Sequence, residues 1–213
     1  MTTLIDNDIL LKSACYRLLN ELITANRDAV PFGYLAAARF VILKRIRRLS
    51  LRGDPNIVEA ELLGFLGEHK ALETTPEEQA LAATLEAAAQ NIAVNLDTGE
   101  SQLVSVLLLR TLPRLWTGDK RAIIAFDRLI DPVPEIGGIV GAVMCLEQLV
   151  KRALAQSDGV TIRTAVCNEP SVDRTLSICF GCLGSGQPLE SIIEGLDSYI
   201  EDIRCQAPRV LAT

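Results

Sequence analysis

One histidine, His69, stands in 213 residues. That scarcity excludes zinc hydrolases built on a histidine pair and weakens any Ser-His-Asp triad. Aromatic residues are only 4% of the chain, so aliphatic packing must dominate the core. Neither a P-loop (GxxxxGKS or GxxxxGKT) nor a GxGxxG phosphate loop occurs. No run approaches the roughly 20 apolar residues of a membrane span. The opening TTLIDND has no basic segment leading into an apolar one, so no secretory signal is expected. Six cysteines in such a chain read as reduced thiols, and a cytoplasmic location is expected. The net charge of −6 argues against bulk attraction to nucleic acid or anionic lipid, leaving local basic patches to act.

What remains is a chain that is 49% hydrophobic, enough for a sizeable core. Leu4 and Ile5 precede Asp6-Asn7-Asp8, after which Leu11, Cys15, Leu18 and Leu22 recur at helical spacing. This predicts strand, acidic corner, helix. Residues 35–50 read as a helix, with Ile42, Ile46 and Leu49 on one side and Lys44, Arg45, Arg47, Arg48 and Arg52 on the other. Asp54-Pro55 and Thr75-Pro76 start two more helices, and LDTGESQLVSVLLLR another. PRLWTGDKRAIIAFDRL predicts a short strand, a corner and a helix. EIGGIVGAVMCL predicts a last strand running into a helix near Cys145. Leu189, Ile192, Ile193, Leu196, Ile200 and Ile203 form a helical stripe. Strands alternating with helices imply a parallel sheet, whose sites gather at the strand C-terminal ends.

Three acidic corners stand out: Asp6 with Asp8, Glu100 in LDTGE and Asp119 in TGDKR. Each has an ordinary structural reading. Asp97 and Glu100 have capping-box spacing, and Asp119 suits a helix N-cap. Their recurrence in a chain almost without imidazole favours a cluster of hard oxygens instead, suited to Mg²⁺ or Mn²⁺.

The pieces LIDNDILLK, IVEAELLGF, LDTGESQL and LWTGDKRA, in that order, resemble a PIN domain, the small α/β nuclease fold of many RNA-cleaving bacterial proteins. The resemblance covers residues 1–145 and implies a three-layer α/β/α fold around a short parallel sheet. Residues 146–213 are left as a helical C-terminal extension. It implies a metal-dependent ribonuclease with Asp6, Glu61, Glu100 and Asp119 as catalytic and metal-binding residues around one or two Mg²⁺ or Mn²⁺ ions. Glu61 fits the second motif better than Glu59. Thr117 and Asn7 would be secondary contacts, and Asp8 and Asp97 could replace one of the four. The partners implied are an RNA substrate and either a second copy or an inhibitory protein, with no membrane. Rival readings are a non-catalytic PIN-like binding module, a toxin-type nuclease held by a partner, and a related enzyme acting on DNA.

Lys44, Arg45 and Arg48, with Lys120 and Arg121 beside Asp119, are the candidate nucleic-acid contacts. Cys179 and Cys182 form a lone CxxC, with Cys167 and Cys205 in the same third. Buried free thiols are the favoured reading and a four-cysteine metal site the alternative. Cys15 and Cys145 read as core. AVCNEPSVDRTLSICF is explained by neither composition nor the resemblance.

Overall fold

The computed structural model describes residues 2–26, 31–184 and 186–213. Its elements run β1 (Thr3–Ile5), α1 (Asn7–Cys15), α2 (Leu19–Ala25), β2 (Phe32–Leu35), α3 (Ala38–Ile46), α4 (Pro55–Glu68), β3 (Lys70–Leu72), α5 (Pro76–Asn91) and α6 (Thr98–Leu109). They continue β4 (Arg114–Trp116), α7 (Lys120–Leu129), β5 (Val143–Met144), α8 (Leu146–Gln156), α9 (Gly159–Asn168), α10 (Arg174–Cys179) and α11 (Leu189–Gln206). The five strands form one parallel sheet in the order β3-β2-β1-β4-β5. Leu4 lies beside Leu115 and Ile5 beside Trp116.

Side chains alternate across each strand, so neighbours on one strand feed opposite faces. Ile5, Trp116, Met144, Phe32 and Tyr34 join one apolar cluster; Leu4, Leu115, Val143 and Leu35 join the other. The first cluster is completed from α1, α3, α4, α8 and α9, the second from α5, α6 and α7. Helices therefore cover both faces, as a parallel sheet requires. Local chemistry starts several of them. Asp54 caps α4 with proline next in line, and Thr75 with Glu78 forms a capping box on α5.

The strand expected within EIGGIVGAVM is only Val143–Met144; Pro134–Ile139 is a 3-10 turn. Strands β2 and β3, three to four residues each, were not foreseen from periodicity.

The last third belongs to the same core. The chain end runs parallel to β5: Gly141 N–H donates to Arg209 C=O at 2.9 Å and Ala212 N–H to Val143 C=O at 2.7 Å. That shields a sheet edge that would otherwise present unpaired backbone groups. The buried carboxylate of Asp127 holds this tail by accepting from Arg209 N–H at 2.8 Å. On α11 the buried positions are Ile192, Leu196, Ile200 and Ile203, whereas Leu189 is 40% exposed.

The unexplained AVCNEPSVDRTLSICF is a brace. Buried Glu169 accepts from Arg52 N–H at 2.9 Å and Gly53 N–H at 2.6 Å, and Asp173 caps α10 while pairing with Lys12 at 2.8 Å. Cys167 and Cys182 are joined in a disulfide, with Cα atoms 4.9 Å apart. The reduced-thiol expectation thus fails for this pair, because α9 and the turn after α10 bring together two residues separated by 15 in sequence. Cys15, Cys145 and Cys179 are buried free thiols, and Cys205 is exposed and free. Among the described residues, no helix is long and apolar enough to cross a membrane.

Candidate functional site

Strand order reverses between β1 and β4, the switch point where a parallel sheet opens a crevice beyond its strand ends. Asp6 follows β1 there, and Thr117-Gly118-Asp119 follows β4. The two corners are tied together: Asp6 N–H donates to Trp116 C=O at 2.9 Å, and Thr117 Oγ1 donates to Asp6 Oδ2 at 3.0 Å. Helix α6 runs back to feed β4, so its N-terminus, carrying Glu100, starts from this same edge.

Asp6 is only 7% exposed. Burial, reinforced by the negative charge of Asp8, lifts its pKa to about 6 against the pull of the Thr117 hydrogen bond. Glu100 is also buried, and its pKa is held well above the ordinary carboxylate range. Burial is the main cause; the charges of Asp97, Asp119 and Asp6 add to it, opposed by the Asp97 N–H. The structure thus brings Asp6 and Asp119 within electrostatic reach of Glu100.

The structural reading of these corners also holds. Asp97 and Glu100 form the anticipated capping box, with Asp97 N–H donating to Glu100 Oε2 at 3.0 Å and Glu100 N–H to Asp97 Oδ1 at 2.9 Å. Asp119 caps α7 by accepting from Arg121 N–H at 2.8 Å, and its carboxylate also meets the Arg121 guanidinium at 2.8 Å. Burial alone would raise the Asp119 pKa, but the Arg121 contacts override it and the net shift is downward. Asp97, Glu100, Asp119 and Arg121, with Asn95 and Leu96, line a cavity of 280 Å³. Among the described residues, no three His, Cys, Asp or Glu side chains are gathered into a metal-holding group.

The other candidates are sorted by the fold. Asn7 opens α1 directly after Asp6. Asp8 is engaged elsewhere: Lys12 Nζ lies 2.6 Å from its Oδ2 and Arg45 3.8 Å from its Oδ1. Lys12 is half-buried yet stays charged, because Asp8 and Asp173 outweigh the burial that would lower its pKa. Gly118 is required beside them, since a Cβ there would fall 2.2 Å from Asp8 Oδ2. Neither Gly118 nor Lys12 stood out in the sequence, although they lie inside TGDKR and LIDNDILLK.

Glu61 does not join the site. Arg17, just past the far end of α1, holds it at 2.7 Å. Nine helical residues separate that end from Asp6, about 14 Å of rise. Glu59 is likewise taken by Arg47 at 2.9 Å. Lys120 is paired with buried Glu147, just past the end of β5, at 2.9 Å and rests on the Tyr199 ring, 4.6 Å from its centroid. Arg121 is exposed at the cavity, and Lys44, Arg45 and Arg48 are exposed on or just beyond α3.

A larger depression, 690 Å³, lies by that far end of α1, lined by Arg17, Glu61, Phe65, Val160 and Asn168 among others. Its only acid–base pair is the mutually satisfied Arg17–Glu61, so it offers room without evident chemistry. His69 packs on the Phe32 and Phe65 rings. No protein-family model, curated protein or solved structure matches the chain.

Proposed function

We propose that the chain is a PIN-like nuclease, a metal-dependent ribonuclease working at the β1–β4 crevice. One observation carries the reading. Carboxylates from three separate segments gather at a parallel-sheet switch point, where the charges of Asp119 and Asp6 add to burial in holding the Glu100 pKa up. Like charges brought together under burial are a liability that a cation relieves.

The donor set fits Mg²⁺ or Mn²⁺ by its chemistry: carboxylate oxygens with a neighbouring hydroxyl, Thr117, and no imidazole. Asp6, Glu100 and Asp119 would hold the ion or ions. A bound ion would supply a water acidified enough to attack a phosphodiester near neutral pH. The chain's own groups do the rest. Thr117 fixes the rotation of Asp6, and the Asp97 N–H fixes Glu100. Glu100, with its raised pKa, would have to give up its proton to hold an ion. Arg121, exposed beside Asp119, is placed to exchange that carboxylate for a substrate phosphate.

The test pairs activity with a binding readout. RNA oligonucleotides should be cleaved with Mn²⁺ or Mg²⁺ and survive in EDTA. Asp119→Asn should abolish cleavage and the melting shift caused by Mn²⁺, yet melt normally without metal. A wild-type protein showing neither cleavage nor a Mn²⁺-dependent melting shift would sink the reading. The 690 Å³ groove would then favour the non-catalytic binding module, or a surface for a controlling partner.

A further inference from the structure

Helix α3 turns Ala38, Ile42 and Ile46 into the core. At 100° per residue its opposite face carries Phe40, Lys44 and Arg47, with Arg48 at the next step, Lys44 lying about 6 Å of rise beyond Phe40. Of one tryptophan, three tyrosines and five phenylalanines in the chain, Phe40 alone is exposed, at 75%. A chain so poor in aromatics has placed one ring in water, and the packing of α3 does not need it there.

Its surroundings are cationic. From Arg39 to Gly53 the sequence holds Arg39, Lys44, Arg45, Arg47, Arg48 and Arg52 and no acidic residue, within a chain of net charge −6. Arg47 is occupied by Glu59. Arg39, Lys44 and Arg48 form no ion pair among the described residues, and all three are exposed. The patch also adjoins the acidic corner, since Arg45 reaches Asp8, two residues after Asp6.

We propose that this face of α3 binds single-stranded nucleic acid, with Phe40 as the platform on which an unpaired base stacks and Lys44 and Arg48 tracking the phosphates. Every base has a π-face, so an exposed ring among cations gives sequence-tolerant affinity for strands whose bases are unstacked. A duplex hides those faces and would meet the cations alone. A lipid surface fits less well: the apolar stripe of α3 is spent on the core, leaving only Phe40 and Val41 exposed on the helix to insert. The inference rests on the nuclease reading for its choice of polymer, but its test needs no catalysis.

The assay is fluorescence anisotropy in EDTA with a labelled single-stranded RNA, the matching duplex, and anionic phosphatidylserine vesicles as the competing surface. Phe40→Ala should weaken single-strand binding about 5- to 150-fold with an unchanged salt slope. Phe40→Tyr should restore most of it. Lys44→Ala and Arg48→Ala should each flatten the log–log salt dependence by about 0.7. Unchanged single-strand affinity in Phe40→Ala overturns the proposal, as does equal preference for the duplex. It also falls if the wild type binds no strand, or if Phe40→Ala weakens only vesicle binding. The nuclease reading fails separately: Asp119→Asn that still cleaves RNA refutes the crevice and leaves α3 untouched.

Discussion

Asp6→Asn should make the metal-free protein more stable at neutral pH, although it alters a buried group at the centre of the candidate site. The Asp6 pKa is raised from 3.8 to about 6 in the folded chain, chiefly by burial and then by Asp8. A raised carboxylate favours folding while it holds its proton. That contribution is complete below the unfolded value and is lost as pH rises through about 6. A shift of roughly two units corresponds to about 3 kcal/mol of lost stability once the group is ionised. Asparagine keeps an oxygen where Thr117 donates and never ionises, so it escapes the loss. Urea unfolding in EDTA should show the two proteins alike near about pH 4, with the variant ahead by up to about 3 kcal/mol at about pH 7.5. Adding Mn²⁺ at the higher pH should close the gap by stabilising the wild type only. A variant less stable than wild type at neutral pH, or a gap of constant size, would refute the electrostatic account of this corner.

Two further substitutions test the neighbouring geometry. Gly118→Ala puts a methyl 2.2 Å from the Asp8 carboxylate, which Lys12 holds from the other side at 2.6 Å. It should cost about 1–3 kcal/mol in thermal or urea unfolding, and adding Asp8→Ala should recover part of that; no recovery would mean the strain lies elsewhere. Lys120→Met strands the carboxylate of Glu147, whose side chain is 3% exposed, and should cost about 3–5 kcal/mol, partly restored by Glu147→Gln. Arg121→Ala, on a side chain 74% exposed, should cost below about 1 kcal/mol; equal losses from the two substitutions would refute this ranking.

Elements whose signals are local could be read from the residues alone. Asp97 and Glu100 cap α6, Asp119 caps α7, and Thr75 with Glu78 caps α5, because a cap needs only residues within one helical turn. The acidic corners after β1 and β4 were legible for the same reason: an apolar pair ends and a helix begins within a few residues. Strands β2 and β3 were not, since three or four residues buried in a parallel sheet have no length over which a period can be read. Tertiary structure alone decided what the charged side chains face. It sent Glu61 to Arg17, paired Lys120 with Glu147, and brought Asp173 to Lys12. It also joined Cys167 to Cys182 and brought the chain end beside β5. Ion pairs and cross-links depend on which helix faces meet, and the short motifs around these residues carry no record of that. Glu100 shows both levels in one residue: its bond to Asp97 was written three positions away, while the nearness of Asp6 and Asp119 that raises its pKa exists only once the sheet has closed.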